Sequence, residues 1–308
     1  MSDTDARARR YHRRQLCLTV AGFVITVLVL AAWTATGLAA AAAHLARSLA
    51  WRPAAVLAMA AVVGGSCVAV TFPLEVVGGF LLPRRAGLLA QRFAGWLADQ
   101  AMGWLVGGVL GLFAVELVYA LLAWSPAWWW LLAAAALAAA SLLLAAVVPV
   151  WLVPLFYRLT PLPDPAVRAR LLSLAARVGV AAADVSVADV SRKGRTANAA
   201  VVGLGRTRRI LVSDTFLARF PADEIEVVLA HELAHHARGH LAQGLTLQAL
   251  LLAGVLALAH VGLARLARPA GLTDLADPAG LPLLALLLTG AGLLATPLAA
   301  GWSRRLER

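Results

Sequence analysis

Charge is scarce in this sequence. Only 14% of its 308 residues are charged, against about 25% in an ordinary globular domain. Hydrophobic residues make up 61%, and mean hydropathy is +0.81. A soluble domain of this length buries a large core with far less apolar sequence, so the lipid bilayer is the expected solvent for much of the chain. Cysteine is nearly absent: Cys17 and Cys67 both lie in apolar stretches and give neither a disulfide framework nor a metal spacing. Lysine is rarer still, with Lys193 the single one and arginine carrying the rest of the positive charge. A formal charge of +11 would suit a nucleic-acid binder. The basic residues, however, sit mainly at the ends of apolar runs, so no nucleic-acid partner is expected. Long internal repeats are missing too.

What the chain has in abundance is long apolar runs. Six stretches reach the roughly 20 residues that a membrane-spanning helix needs: about 16–43, 55–82, 102–123, 128–153, 241–266 and 281–300. Trp124 and the tryptophans at 128–130 flank two of them, where interfacial aromatics concentrate. The first run follows arginines but exceeds the roughly 7–15 apolar residues of a signal peptide, so it reads as an uncleaved anchor. With the N-terminus in the cytoplasm and sides alternating, all of the 27 basic residues except Arg47, Arg52, Arg265 and Arg268 fall on the cytoplasmic side. That bias sets the expected orientation: a multi-pass protein of the cell membrane with the N-terminus, the C-terminus and the longest polar segment inside.

That polar segment, about residues 157–240, reads as a small α+β domain between spans 4 and 5. Asp164 is a plausible N-cap with Pro165 at the first helical position, and Leu171, Leu172, Leu174, Ala175 and Val178 follow at helical spacing. Val185, Val187 and Val190 predict a short strand, and 197–202 and 209–212 predict two more around a turn at 203–207. A helix over about 221–238 closes the domain. The organisation is then a four-span membrane region over 1–156, the α+β domain over 157–240, and a two-span hairpin over 241–308. The expected fold class is mostly α: a polytopic membrane helical bundle of about six spans with this small α+β domain inserted between spans 4 and 5.

Within the closing helix stands His231-Glu232-Leu233-Ala234-His235, an H-E-x-x-H pattern. Four residues advance a helix by about one turn plus 40°, so both imidazoles point from one face toward a shared point. Neutral imidazoles one turn apart suit a Zn²⁺ ion, expected at one per chain. Glu232, beside them, is placed to take a proton from an attacking water and hand it to the leaving amine. His236 and His240 form another i, i+4 pair, facing about 100° or more away, with no glutamate between them. They read as interfacial polar residues, and His12, His44 and His260 carry no assigned role.

A peptidase of this type needs a third protein ligand and an open position. Asp189, Asp214, Asp223 and Glu224 are near in sequence. Glu307 is the sharper choice by topology, because the sixth span returns the chain to the face from which the His231 helix enters the fifth. A solvated charge near a terminus is the competing reading.

On these residues the sequence resembles the M48 metallopeptidases, and within them the Ste24 type, the CAAX prenyl endopeptidases. The carriers are Pro154-Leu155-Phe156, Thr160-Pro161-Leu162-Pro163, Ser191-Arg192-Lys193, Thr196-Ala197-Asn198-Ala199, the H-E-x-x-H pattern and Ser303-Arg304-Arg305-Leu306-Glu307. The resemblance covers the last half of the chain by motif and most of the rest by hydropathy. It implies that Glu307 is the third zinc ligand. It also implies that Asn198 lies on an edge strand beside the metal, so that Asn198 and Ala199 bind substrate backbone added as an extra strand. Such enzymes commonly have seven spans, where six are counted here. They also continue past the glutamate to an aspartate four residues on, where this chain stops at Arg308.

The expected function is a zinc-dependent endopeptidase in the bilayer, cutting membrane-associated or extended peptides, as in CAAX-type processing or membrane-protein quality control. The alternative is a catalytically impaired membrane scaffold with a structural zinc site. Transport through Glu75 and Glu116, acids within or near spans, is the weakest reading.

Overall fold

The computed structural model describes residues 3–46, 48, 51–180 and 182–306. In chain order the helices and strands are α1 (Asp3–Ala35), α2 (Leu38–Ala46), α3 (Arg52–Glu75), α4 (Leu82–Arg85), α5 (Phe93–Trp124), α6 (Trp129–Val147), α7 (Val153–Phe156), β1 (Leu159–Pro161), α8 (Pro165–Arg177), β2 (Val185–Ala188), β3 (Ala199–Val202), β4 (Arg209–Ser213), α9 (Asp214–Leu217), α10 (Ala222–Ala237), α11 (His240–Leu266) and α12 (Leu281–Leu306). Six helical stretches among the described residues are long and apolar enough to cross a membrane: Ala6–Ala35, Arg52–Arg85, Phe93–Trp124, Trp129–Val147, His240–Leu266 and Pro278–Leu306. These are the six apolar runs of the sequence. The first run is shared between α1 and α2. The chain breaks at Gly37, whose φ of +76° is a left-handed conformation that side chains disfavour.

The chain divides into two compact units. The first draws on the described residues of Met1–Leu82, Ala101–Leu137 and Gln248–Arg308. Its core gathers Met59, Leu122, Trp129, Leu256, Leu263 and Leu284. Two polar contacts tie it together: the Trp129 indole Nε1 donates to His260 Nδ1 at 3.0 Å, and Arg52 Nη2 donates to the Ala276 carbonyl at 2.8 Å. Leu28, Phe113, Leu294 and Leu298 remain more than half exposed, an apolar exterior that suits lipid and would be costly in water. A π-helical turn at Val76–Leu81 joins α3 to α4. It follows Pro73, which lacks the N–H that a regular helix uses. A second such turn, Val148–Leu152, joins α6 to α7.

The second unit draws on Pro83–Gln100 and Ala138–Leu247. It holds a four-stranded mixed sheet in the order β1-β2-β4-β3. β1 runs antiparallel to β2, β2 parallel to β4, and β3 antiparallel to β4. β2 lies between two strands and is buried along its whole length, whereas β3 has one strand neighbour and alternates buried with half-buried. On this sheet pack α8 and α10. Asp164 caps α8 by accepting from Ala166 N and Val167 N, with Pro165 in the first turn. α10 turns Ile225, Leu229 and Leu233 inward, at steps of four, onto Val185, Val201, Ile210 and Val212. Each buried leucine contributes roughly 1.5–3 kcal/mol.

Candidate metal centre

α10 has two working faces. The stripe Ile225, Leu229, Leu233 is buried. Glu232, half-buried, points between that stripe and the opposite side. Residues two positions on from the stripe project from nearly the opposite side, where His231 is exposed and His235 is half-buried. On that side the Nε2 atoms of His231 and His235 lie 3.1 Å apart, with ring planes nearly perpendicular. A tetrahedral ion bound at about 2.0–2.1 Å holds two imidazole nitrogens roughly 3.3 Å apart. The pair therefore fits a shared zinc ion, and its donor chemistry suits that metal.

The helix ends at Ala237. Arg238 N–H donates to the Ala234 carbonyl at 3.0 Å and Gly239 N–H to the His236 carbonyl at 3.1 Å. Gly239 then takes a φ of +68°, a left-handed helix stop that glycine adopts without strain. His236 and His240 therefore part company. His236 points to the sheet, its Nε2 2.8 Å from the Val201 carbonyl oxygen. His240 opens α11 and folds back, placing its Nδ1 2.8 Å from His235 Nδ1. Continuous helical spacing predicts that His240 faces away from the histidine pair. The break at Gly239 reverses that, and helical spacing by itself carried no signal of it.

Beside α10 runs the edge strand β3. Asn198, just before it, is exposed and its main chain is held on both sides: Ser213 N–H donates to the Asn198 carbonyl at 2.9 Å, and Asn198 N–H donates to Ser213 Oγ at 2.9 Å. Antiparallel pairing alternates, so the main-chain groups of Ala199 and Val201 turn to the side of β3 that has no strand. The Val201 carbonyl is the one His236 meets. Ala199 itself is 4% exposed with its side chain in the core, which leaves only its main chain to offer.

A polar lattice fixes the approach to this strand. Thr215 Oγ1 lies 3.0 Å from Ser213 Oγ and donates to the Thr196 carbonyl at 2.5 Å. Asp214 accepts from the hydroxyl and main-chain N–H of Ser191. Burial pushes the Asp214 carboxyl up, but the hydrogen bonds from Ser191, Thr215 and Val190 outweigh it and hold the pKa below its usual value. Further back, Ala90 N–H donates to the Lys193 carbonyl at 2.9 Å and Arg195 N–H to the Leu88 carbonyl at 3.1 Å. Lys193 Nζ pairs with Asp99 at 2.7 Å and sits 4.7 Å from the centre of the Tyr157 ring. The one lysine thus anchors the loop that leads into β3.

Three of the four nearby acids named as possible third ligands are engaged elsewhere. Asp189 accepts from Arg158 N and pairs with Arg192, Asp214 is held by Ser191, and Asp223 pairs with Arg170. Glu224 lies exposed in the first turn of α10. Among the described residues no group of three or more metal-ligating side chains forms. Glu307 lies outside the described residues.

Two family matches divide the chain between them. Residues 2–158 match the CAAX prenyl protease N-terminal region, described as five membrane helices, and residues 161–308 match peptidase family M48. Among curated proteins, the chain is 38% identical over 96 residues to CAAX prenyl protease 1 of Saccharomyces cerevisiae, a match covering 31% of this chain and 21% of that protein. It is 30% identical over 172 residues to the uncharacterized metalloprotease YhfN of Bacillus subtilis, covering 52% and 39%. The matched segments thus span well under half of either relative. Among solved structures it is similar to Ste24p of S. mikatae, with a TM-score of 0.78 at 21% identity, covering 94% of this chain and 71% of that one. At that identity the likeness speaks to the fold.

Proposed function

The chain belongs to peptidase family M48, behind a CAAX prenyl protease N-terminal region, and from that premise we propose that it is a zinc-dependent endopeptidase working at the membrane. One observation carries the reading: two imidazole Nε2 atoms 3.1 Å apart on one helix face, with Glu232 between them in sequence and an edge strand alongside. His231 and His235 would hold one zinc ion, with Glu307 as third ligand by resemblance to the family. Bound zinc supplies Lewis acidity, polarising a carbonyl and acidifying water. Glu232 takes the proton of the attacking water on a carboxylate oxygen and later gives it to the leaving amine nitrogen. Asn198 contacts the substrate main chain through its exposed amide, and Ala199 through its own main chain, so that an extended peptide adds beside β3.

The substrates fitting this arrangement are extended or membrane-associated peptides. The names of the relatives make prenylated CAAX peptides one class to try, and unfolded membrane proteins another. The arginine distribution supports a cytoplasmic site. The test is purified protein in detergent, wild type and Glu232→Ala, assayed for zinc per chain and for cleavage of a quenched extended peptide and a prenylated CAAX peptide, with and without o-phenanthroline. Wild type should bind one zinc and cleave in a chelator-sensitive manner, and Glu232→Ala should keep the zinc and lose cleavage. Undiminished cleavage by Glu232→Ala would remove the proposed base. One bound zinc without cleavage of either peptide would favour the scaffold.

A further inference from the structure

We propose that His240 is a positioning residue for the metal centre: it fixes the ring angle and tautomer of His235 by accepting a hydrogen bond from its Nδ1. The inference rests on the reading of His231 and His235 as zinc ligands. The geometry is specific. One nitrogen of His235, Nε2, faces His231 at 3.1 Å. The other, Nδ1, faces His240 Nδ1 at 2.8 Å, with the two rings edge to face and 4.9 Å between centres. An imidazole that gives its Nε2 lone pair to a metal is neutral and carries its proton on Nδ1. His235 is then the donor, and His240 accepts with a bare Nδ1, which puts its own proton on Nε2. Outer partners of this kind hold a ligand ring in place and raise its basicity.

The chain is built to make this contact. In an unbroken helix residues five apart sit roughly 140° apart around the axis. Here α10 stops at Ala237, Gly239 takes its left-handed φ, and Gln243 secures the turn by donating from its main-chain N–H to the Gly239 carbonyl at 3.0 Å and from Nε2 to the Arg238 carbonyl at 3.2 Å. His240 is thereby set on the first residue of the next helix, turned back on His235. His236, the other histidine within reach by sequence, is engaged by Val201.

The test measures zinc affinity rather than turnover. Apo protein in detergent is titrated with zinc against a chromophoric chelator for wild type, His240→Ala, His240→Leu and His240→Asn. Alanine and leucine remove the acceptor, leucine keeping bulk. Asparagine puts an amide oxygen near the position of Nδ1. His240→Ala and His240→Leu should bind zinc about 10–100-fold more weakly, and His240→Asn should recover most of the loss. If His240→Ala does not fold, the contrast between leucine and asparagine decides. Wild-type affinity in the leucine variant, or equal weakness in leucine and asparagine, would overturn the proposal. A wild-type protein that binds no zinc would instead overturn the functional reading beneath it.

Discussion

His236 Nε2 lies 2.8 Å from the carbonyl oxygen of Val201, so the helix bearing His231 and His235 is tied directly to the edge strand beside it. Val201 has its carbonyl on the side of β3 without a strand, and His236 occupies it. His236→Ala leaves that carbonyl without its imidazole partner, an expected loss of about 1–3 kcal/mol. A lower unfolding midpoint by scanning fluorimetry, with zinc still bound, is the expected outcome.

Ser213 gives a prediction of a different kind. Its hydroxyl oxygen accepts from Asn198 N–H and Phe216 N–H, and so aligns Asn198 while itself buried. Ser213→Ala should raise KM for an extended peptide while leaving kcat and zinc content close to wild type. Asn198→Ala should do the same, more strongly. A fall in kcat with unchanged KM in both variants would count against a substrate-holding strand.

Asp214 governs an acid-sensitive step in stability. Its folded pKa is held below the usual value because hydrogen bonds outweigh burial. Its contribution is therefore complete above the unfolded value of about 3.9 and is lost as pH falls through the lower folded value. Asp184 is shifted in the same direction: burial raises it, and the Arg168 guanidinium with the Val185 N–H lowers it further than burial lifts it. Unfolding midpoints measured on acidification should drop more steeply for wild type than for Asp214→Asn below about pH 4. Near neutrality the variant should be the less stable of the two.

Glu307 is tested by metal content. If it is the third ligand, Glu307→Ala should weaken zinc binding by more than the roughly 10–100-fold that an outer partner is worth. Retention of wild-type affinity would call for another ligand.

The pattern of hydropathy made the six spans legible, because length and apolarity alone define such helices. The histidine pair was equally legible, since spacing of four on a helix brings two rings together whatever surrounds them. Three things were not. β1 is three residues long and ends in Pro161, too short for an alternating pattern and tolerable only at a sheet edge. The order β1-β2-β4-β3, which makes β3 an edge, is a property of pairing between segments far apart in sequence. The contact of His240 with His235 depends on a helix stop at Gly239, and a glycine in a polar stretch does not announce which way the next side chain turns.

The π turn at Val76–Leu81 has a consequence for how the second span tolerates length changes. Such a turn packs a surplus residue into the helix. A related chain missing one residue there reverts to plain helix, and the flanks on either side stay in phase. The same loss inside α3 swings everything beyond it by about 100° around the axis, presenting to lipid the faces now packed inside. Within this span, that short window is therefore where loss of one residue is expected to cost least.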